Sequence, residues 1–397
     1  MKRARPLFRC AIALLVTILI PLESFAGSVR PTRKSFYPIR VAVVKGAEKV
    51  ALKIKGPYQI LALNTEDLLG EGRSLRKAEI YPTGAGITFD DRHLKIYGIK
   101  IRPDKEATIY INDRQFRGEV DIIRTEDTKL LTVNYLDIED YLRGVLYHEA
   151  SHRWPIEALK AQAVASRTYA VYQIENRKDE DYDVTNTVYS QLYGGRTSEK
   201  HKTNMAVDAT LGQVLTYGKG NVLPAYYHST CGGHTENAGV VWKVKGVDPL
   251  KGKRCDFCKG SPQYDWRRVV GLGEIRERVN QSGRKIGEII SIETEGRDRS
   301  GRAEKVILKS KWSKIALPAT DFRMIVGHTT IRSTNFTVSI KGDQARFTGK
   351  GWGHGVGVCQ WGMFGMSRKG YQYTAILQYY YPKTSMKSII KKTDEDI

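Results

Sequence analysis

One glutamate stands where a helix-forming pattern ends, and this position gives its carboxyl group particular surroundings. Glu149 lies between His148 and His152 in YLRGVLYHEASHRWPIEALKAQAVASRTYA, and Trp154 follows at the junction with the next helix pattern. A carboxyl group walled by aromatic or apolar groups has a raised pKa and remains a proton donor near neutral pH. Glu149 is therefore a candidate general acid and base. The alternative is a solvated acid at a helix end.

The same segment contains HEASH, which matches the zinc-protease motif H-E-x-x-H. In that motif both histidines bind the metal from one continuous helix, and the glutamate activates a water molecule. Pro155 argues against this interpretation, because a proline forces the preceding residue away from helical geometry. No third ligand follows at the usual spacing. The motif is therefore interpreted as incidental.

Cysteines and histidines cluster farther along the chain. HSTCGGH supplies His228, Cys231 and His234, and CDFC supplies Cys255 and Cys258. Three thiolates and one imidazole fit a tetrahedral zinc site without an open position, so the predicted zinc is structural and no cofactor is expected for catalysis. His228 is the expected fourth ligand, with His234 as the alternative. A disulfide between Cys255 and Cys258 is the other possibility.

The elements that must position these residues begin with a β-rich segment. From Tyr37 to about Val133, short β-branched or aromatic runs are separated by Gly, Asp, Asn and Arg, which predicts an antiparallel β region. Two helices are predicted next, from Ile138 to about Glu149 and from Pro155 to about Asn176. On a helical wheel Arg167 falls within the apolar arc of the second helix. We expect this arginine to be buried and bound to an acid or to several acceptors.

The remainder of the chain mixes helices and strands. A helix is expected near Ser198–Leu211, strands are expected around QVLTY and PAYYHST, and a mixed region runs from Tyr264 to Phe347. Glycines at 349, 351, 353, 355 and 357 alternate as on a strand with one bare face, which lets a ligand or another backbone come close. The predicted fold class is α+β: an N-terminal antiparallel β region, a central helical catalytic core with a mixed sheet, and a Gly-rich C-terminal strand and helix.

Charge and the N-terminus restrict the class of function. The 397 residues carry a formal net charge of +21, which predicts an anionic neighbourhood. Four basic residues precede an apolar run from Cys10 to Ile20, and a cut site follows at Ala26, which is the pattern of a secretory signal; an uncleaved anchor is the alternative. No later run is long enough to span a bilayer. The mature protein is expected in the periplasm, cell envelope or extracellular space, away from nucleic acid.

Several separate motifs together resemble one family. The chain is similar to the stage II sporulation protein D (SpoIID/LytB) family in five segments that follow the family's order: HEASHRWPIEALKAQAVASRTYA, YSQLYGG, HSTCGGHTENAGVVW, RSTNF and GKGWGHGVGVCQWGMFGMSRKGYQYTAILQYYYP. The resemblance covers nearly all of the mature chain. With the signal at residues 1–26, it implies a β-rich region at 27–133, a catalytic core at 134–385 and a polar tail at 386–397.

The resemblance implies a lytic transglycosylase that cuts MurNAc–GlcNAc linkages of peptidoglycan strands, preferring strands whose peptides an amidase has removed. The family's catalytic glutamate corresponds to Glu149. Glycoside hydrolases usually need two carboxyl groups. A lytic transglycosylase needs one, because the MurNAc C6 hydroxyl attacks its own anomeric carbon and leaves a 1,6-anhydro end. The family also includes amidase enhancers, so a non-catalytic glycan-binding protein that stimulates an amidase is the alternative. A metal-dependent wall hydrolase is the third hypothesis.

The remaining site residues follow from the same hypothesis. Arg167 is expected to orient Glu149 or tune its charge. Some relatives bind zinc near HSTCGG, which supports the predicted metal site. Each residue expected in the substrate groove has a structural role as its alternative: Gln162, Tyr189, Gln191, Ser229, Thr230, His354 and Gln360.

Overall fold

The computed structural model describes residues 37–244 and 246–390. The predicted signal at residues 1–26 lies outside these described residues. Within them, no helix is both long and apolar enough to cross a membrane.

An antiparallel β module occupies the first hundred described residues and confirms the predicted β region. Its strands are β1 (Pro38–Ala47), β2 (Val50–Ala62), β3 (Leu68–Thr83), β4 (Gly86–Phe89), β5 (Arg92–Leu94), β6 (Gly98–Pro103), β7 (Thr108–Ile111), β8 (Arg114–Phe116), β9 (Glu119–Arg124) and β10 (Leu130–Asp137). Within this module the main sheet has the order β1-β10-β9-β6-β2-β3-β4-β5, and β7 pairs with β2 and β8. A later short strand, Val184–Thr185, extends the sheet by pairing in parallel with β1. The apolar faces of these strands and the next two helices form one core.

The helical and mixed elements that follow confirm the α+β class. In chain order they are α1 (Ile138–Glu149), α2 (Ile156–Asn176), β11 (Val184–Thr185), a 3₁₀ turn (Gly195–Ser198), α3 (His201–Asp208), β12 (Gln213–Tyr217), β13 (Asn221–Val222), β14 (Tyr227–His228), α4 (Ala238–Trp242), a 3₁₀ turn (Asp248–Leu250), β15 (Asp265–Gly271), α5 (Leu272–Gln281), β16 (Ile289–Arg297), β17 (Ala303–Ser310), β18 (Lys314–Pro318), α6 (Ala319–Val326), β19 (Phe336–Lys341), β20 (Gln344–Lys350), β21 (Val358–Cys359), α7 (Gln360–Arg368), α8 (Tyr373–Tyr380) and β22 (Thr384–Ser388).

The helix α1 has the predicted bounds, and α2 begins at Ile156, one residue after the predicted start. Asp137 caps α1 by accepting the N–H of Glu139 at 2.9 Å, and Pro155 immediately precedes α2. Most of α2 is buried around its whole circumference, because α1, α3, α7, α8 and β12 all pack against it. Its small side chains, mainly alanine, allow this close approach. The α2 helix is therefore the central element of the helical core.

Arg167 is fully buried in α2, as predicted, but its acid partner differs from the one expected. Its Nε donates to Glu139 Oε1 at 2.8 Å and its Nη2 to Glu139 Oε2 at 2.7 Å, and the carbonyl oxygens of Val207 and Gln213 accept further bonds. Glu139 precedes Glu149 by nearly three turns of α1, or about 15 Å. The expectation that Arg167 tunes Glu149 is therefore corrected: this arginine ties α1, α2 and the segment after α3 together.

Replacing Arg167 with methionine is expected to lower the free energy of unfolding by about 3–5 kcal/mol, because the variant leaves the Glu139 carboxylate buried without its cation. Urea denaturation measures the change. The matched control is Arg143→Met, which removes a partly exposed guanidinium from Asp140 and Asp208 and is expected to cost about 1 kcal/mol or less. Equal losses in the two variants would contradict this role for Arg167.

Residues 265–350 form an insert module with a core of their own. The strands β15, β20 and β19 make one antiparallel sheet, and β16, β17 and β18 make another. The helices α5 and α6 pack on these strands around Phe322, Phe336 and Phe347. The chain leaves the helical core before β15 and returns to it after β20. This module matches the mixed region predicted from Tyr264 to Phe347.

The Gly-rich segment is not the strand that its period of two predicted. Gly351, Gly353, Gly355 and Gly357 all have positive φ angles, between 71° and 111°, which breaks the strand after Lys350. The expected close approach of another backbone does occur: a Cβ on Gly351 would lie 2.5 Å from the Thr230 carbonyl oxygen. The segment therefore packs as a loop against the chain around β14.

The C-terminal boundary of the core lies later than residue 385. The strand β22 pairs with β12 in antiparallel register, from Gln213 opposite Ser388 to Tyr217 opposite Thr384. The first residues of the predicted polar tail therefore belong to a three-stranded sheet with β12 and β13.

Candidate active site

The side chain of Glu149 lies at the end of α1, at the junction that the sequence predicts. Ala150 is extended (φ −140°, ψ 135°), so the helix ends at Glu149. Pro155 begins the approach to α2, and Trp154 packs between the two helices and α7, with its ring 5.7 Å from that of Trp361. The chain turns sharply here, and the Glu149 side chain lines a cavity.

Hydrogen-bond donors hold the Glu149 carboxylate. The backbone N–H of Leu192 donates to Oε1 at 3.1 Å, and Gln360 Nε2 lies 3.4 Å from Oε2 and 3.0 Å from the Glu149 carbonyl oxygen. Burial raises the pKa of Glu149 to about 7, and the bonds from Leu192, Gln360 and Tyr227 offset this rise only in part. Near neutral pH the protonated and the ionised forms of this carboxyl group are therefore both populated, as a general acid and base requires.

Gln162 lies behind the cavity wall, which corrects the expectation that it contacts substrate. It is fully buried in α2. Its Oε1 accepts from Gln360 Nε2 at 3.3 Å, and its Nε2 donates to Ser166 Oγ at 3.0 Å. Gln162 therefore orients the amide of Gln360, which in turn donates to Glu149.

Gln191 is likewise buried behind the wall and is corrected in the same way. Its Nε2 donates to the hydroxyl oxygen of Tyr227 at 3.0 Å, and its Oε1 accepts from the Tyr141 hydroxyl at 3.0 Å. Because Nε2 occupies one lone pair of the Tyr227 oxygen, the hydroxyl proton of Tyr227 remains available for Glu149. Gln191 is thus a positioning residue.

A cavity of about 640 Å³ opens beside Glu149. Its volume falls in the range of ligand sites. Thr230, another predicted groove residue, is buried outside it with its hydroxyl 2.8 Å from Ser261 Oγ, so that expectation is corrected as well. The other predicted groove residues do line the cavity: Tyr189, Ser229, His354 and Gln360.

The cavity wall also contains side chains outside the predicted set of site residues, although the aromatic residues of the Gly-rich end were expected to stack on sugar faces. They are Tyr169, Gln173, Arg177, Tyr226, Tyr227, Trp242, Arg323, Met324, His328 and Trp352. Tyr226 and Tyr227 stand beside the HSTCGG motif, and Trp352 stands in the Gly-rich motif, so these neighbours carried a signal. Arg323 and His328 come from the insert module, where no motif in the sequence indicated that they would reach the cavity.

Aromatic rings form much of this wall. The ring centroids of Tyr226 and Trp242 are 4.4 Å apart, and those of Trp242 and His354 are 4.9 Å apart. Tyr189 is 77% exposed and Trp242 is 40% exposed. Exposed aromatic faces around a cavity suit stacking against the apolar faces of sugar rings.

His228, the expected zinc ligand, lines the cavity instead. Its Nδ1 lies 3.1 Å from the Val356 carbonyl oxygen, which can only accept, so Nδ1 carries the proton. Its Nε2 is buried without a hydrogen-bond partner among the described residues. Burial lowers the pKa of His228 well below its usual value and that of His354 to about 3. Two neutral imidazoles therefore face the cavity.

The HEASH motif does not form a metal site. The helix α1 ends at Glu149, so His148 and His152 do not lie on one continuous helix. His148 Nε2 is 2.6 Å from Ser198 Oγ, and the His152 ring stacks on Tyr147 with centroids 5.7 Å apart. The two histidines have separate structural contacts, as Pro155 predicted.

Four buried cysteines converge beside the cavity: Cys231, Cys255, Cys258 and Cys359. All four are free thiols, and their Sγ atoms lie within 4.8 Å of one another. A tetrahedral zinc with bonds of about 2.3 Å separates its sulfur ligands by roughly 3.8 Å, so the donor set fits zinc. The fourth side chain of this cluster is Cys359, whereas the histidine expected from the sequence, His228, is not part of it. The Sγ atoms of Cys231 and Cys258 are 3.4 Å apart. None of the four cysteines forms a disulfide, so the alternative pairing of Cys255 with Cys258 is not present.

Cys359 joins this cluster because two short strands pair across the chain. The strands β14 and β21 are parallel, with His228 opposite Cys359. His234, the alternative ligand, instead has its Nδ1 2.6 Å from the Thr235 carbonyl oxygen. Cys359 immediately precedes Gln360, whose amide contacts Glu149. The cysteine cluster thus fixes one wall of the cavity.

Comparison with known proteins gives matches to two family models. Residues 126–217 match the SpoIID model, described as stage II sporulation protein, and this segment contains Glu149, α1 and α2. Residues 252–357 match a domain of unknown function, DUF8618, which includes the insert module.

Three relatives show how far the similarity extends. An uncharacterized protein of Brachyspira hyodysenteriae is 33% identical over 344 residues, which are 86% of this chain and 91% of that protein. The amidase enhancer of Bacillus subtilis is 32% identical over 75% of this chain, which spans about half (48%) of that longer protein. Stage II sporulation protein D of Bacillus amyloliquefaciens is 28% identical over 75% of this chain and 86% of its own length. The chain belongs to the stage II sporulation protein D family.

Proposed function

We propose that this protein is a lytic transglycosylase that cleaves MurNAc–GlcNAc linkages in peptidoglycan strands and leaves 1,6-anhydro-MurNAc ends. The observation that carries the proposal is the single carboxyl group in the cavity lining of the described chain, that of Glu149, with its pKa near 7. Hydrolysis usually needs a second carboxyl group for water or for the sugar. One carboxyl group is enough when the sugar's own hydroxyl attacks.

In the proposed reaction, protonated Glu149 gives its proton to the oxygen that links MurNAc C1 to GlcNAc C4. The C1–O bond breaks, and GlcNAc leaves with a C4 hydroxyl. The Glu149 carboxylate then takes the proton of the MurNAc C6 hydroxyl, whose oxygen bonds to C1 and closes the anhydro ring. The proton count balances, and no water is consumed. Glu149 returns to its protonated form.

The groups around Glu149 support both halves of this cycle. Burial favours the protonated acid before cleavage, whereas Leu192 N–H and Gln360 Nε2 stabilise the carboxylate that forms when the bond breaks. Gln162 and Gln191 hold Gln360 and Tyr227 in place. In this proposal Arg167 does not act on Glu149; it stabilises the fold through its ion pair with Glu139.

The proposed zinc is structural. Cys231, Cys255, Cys258 and Cys359 would hold it with no coordination position left for substrate, and the metal would serve to fix the chain on both sides of the cavity. The proposed reaction needs no cofactor. The histidines of the cavity wall would accept or donate hydrogen bonds to sugar groups.

The proposed location is outside the cytoplasmic membrane, where glycan strands are found. The net charge of +21 suits the anionic wall, and the relatives named for sporulation and amidase enhancement agree with a wall substrate. The second candidate function rests on one of these relatives. Because the amidase enhancer is 32% identical, this chain could instead bind glycan and stimulate an amidase without cutting.

A release assay separates the two candidates. Peptide-free strands are incubated with the protein alone, and in parallel a cell-wall amidase is assayed on peptide-bearing sacculi with and without it. We expect soluble glycan fragments in the first arm. Strands that bind the protein but release nothing, together with an amidase stimulation that survives Glu149→Gln, would favour the second function.

The rate of release is expected to fall as pH rises above about 7. Glu149 must be protonated to start the reaction, so kcat should be level below its pKa and drop about tenfold per pH unit above it. The tyrosines that feel its charge, Tyr141, Tyr169 and Tyr227, have raised pKa values and do not titrate in this range. Initial rates between about pH 5 and pH 9 measure the profile.

His328 is a further titratable group in the cavity wall, so His328→Gln is the control for this profile. Arg323, whose pKa is lowered to about 10, remains cationic over this range. We expect the variant to keep the same falling limb. A limb that disappears with His328, or a wild-type rate that stays level to about pH 9, would contradict the assignment to Glu149.

A further inference from the structure

Two guanidinium groups line the cavity without an acid partner. Arg177 follows the end of α2, and Arg323 lies on α6 of the insert module. Among the described residues, neither forms an ion pair with a carboxylate. Among the described residues Glu149 is the only acidic side chain in the lining, and it is neutral in the state that starts the proposed reaction. In that state the described lining carries the positive charges of Arg177 and Arg323 and no negative charge.

The backbone of its own module holds the Arg323 guanidinium in place. Nε donates to the Arg332 carbonyl oxygen at 3.2 Å, and Nη2 donates to the His328 carbonyl oxygen at 3.4 Å. A guanidinium has five N–H donors, so donors on Nη1 and Nη2 remain for a ligand. The charge of Arg323 also lowers the pKa of His354, which places it electrostatically close to the cavity wall.

Burial and the charge of Arg302 lower the pKa of Arg323 to about 10, so this group remains cationic at neutral pH. A partly buried cation held by neutral carbonyl groups favours an anionic ligand, and a carboxylate matches the fork of a guanidinium in two parallel hydrogen bonds. The cavity therefore suits a sugar that bears a carboxylate.

In peptidoglycan the MurNAc sugar bears a free carboxylate only after its stem peptide has been removed. The lactyl group of MurNAc is a neutral amide while the stem peptide is attached, and it becomes a free carboxylate when an amidase removes the peptide. We propose that Arg323 binds this free lactyl carboxylate, that the charge of Arg177 in the same cavity strengthens the attraction, and that this contact is the physical origin of the preference for peptide-free strands that the family resemblance implies. This inference rests on the proposed function, because that function supplies the strand.

The test compares two substrates with one chemical difference. Peptide-free strands are used as such or after their lactyl carboxylates are capped as methylamides. We expect wild type to prefer the free carboxylate in kcat/KM by about 10- to 100-fold, which corresponds to one charge-assisted pair. Arg323→Gln should lose this preference by slowing only on the carboxylate strand. Arg323→Lys should regain part of it.

The matched control is Arg346→Gln, which removes an exposed arginine of β20 outside the cavity and should leave both rates unchanged. A merely structural role of Arg323 would lower both rates equally and keep their ratio. Such a result, or a preference that survives in Arg323→Gln, would overturn the proposal.

A binding arm separates this proposal from the proposed reaction. Calorimetric Kd values for the two strands are measured in Glu149→Gln and in Glu149→Gln combined with Arg323→Gln. If the protein cuts neither strand but Glu149→Gln still binds the carboxylate form about tenfold more tightly through Arg323, the reaction fails and the carboxylate site stands. Equal Kd values for the two strands in Glu149→Gln would overturn the site.

Discussion

Glu149→Gln is expected to lower kcat on peptide-free strands by about 10²- to 10⁴-fold, the usual contribution of a general acid and base. Glutamine keeps the size of the side chain and accepts the Leu192 N–H bond through its amide oxygen, but it has no acidic proton to give. KM should change much less, because the cavity walls remain. Chromatography of the released glycan measures the rate.

The control for this variant is Glu175→Gln, which replaces an exposed acid on α2 and should keep the wild-type rate.

The stability of Glu149→Gln distinguishes loss of chemistry from loss of fold. Since the pKa of Glu149 is raised on folding, its contribution to stability is full below about pH 4.5 and is lost as pH rises through about 7. The glutamine variant should lack this loss and be at least as stable as wild type above pH 7. A variant that is folded and fully active would contradict the role of Glu149.

Cys359→Ser is expected to abolish zinc binding and to destabilise the protein by on the order of 5 kcal/mol, because the binding energy of a structural zinc is folding energy. The metal content of purified protein and thermal unfolding measure these effects. Release of glycan should fall with them, since Cys359 leads directly into Gln360 and Cys231 follows Ser229 of the cavity wall. A strong chelator should unfold the wild-type protein around the four cysteines and abolish its activity at the same time.

His228→Asn is the matched control, because a histidine at this position is the ligand that the sequence predicted. The structure gives His228 no place among the four sulfur donors, so the variant should retain one zinc per chain and near wild-type stability. Loss of zinc in His228→Asn but not in Cys359→Ser would contradict the four-cysteine site. A chelator that stops turnover while the fold survives would instead indicate a catalytic metal.

Local signals predicted the position of Glu149 correctly. Pro155, which the sequence analysis used, immediately precedes α2, and the structure adds Asp137 as the cap at the start of α1; both act through neighbouring backbone atoms. The burial of Arg167 also followed from the helical period. These features depend on residues close in sequence, so a single sequence is enough to predict them.

Partners that meet across the chain were not predictable in this way. Cys359 joins Cys231 only because β14 and β21 pair in parallel, and Arg167 meets Glu139 only because α1 and α2 pack side by side. The insert module brings Arg323 to the cavity from a separate core. The glycine period failed for a different reason: positive φ angles at alternate glycines produce the same spacing as a strand.

Digestion of peptide-free strands in heavy-oxygen water, followed by mass spectrometry of the released ends, tests the central claim most directly. The proposed mechanism predicts anhydro-MurNAc ends, lighter than reducing ends by one water and free of solvent oxygen, with the rate of release falling in Glu149→Gln. Reducing ends that carry the heavy oxygen, or anhydro ends released at the wild-type rate by Glu149→Gln, would contradict it.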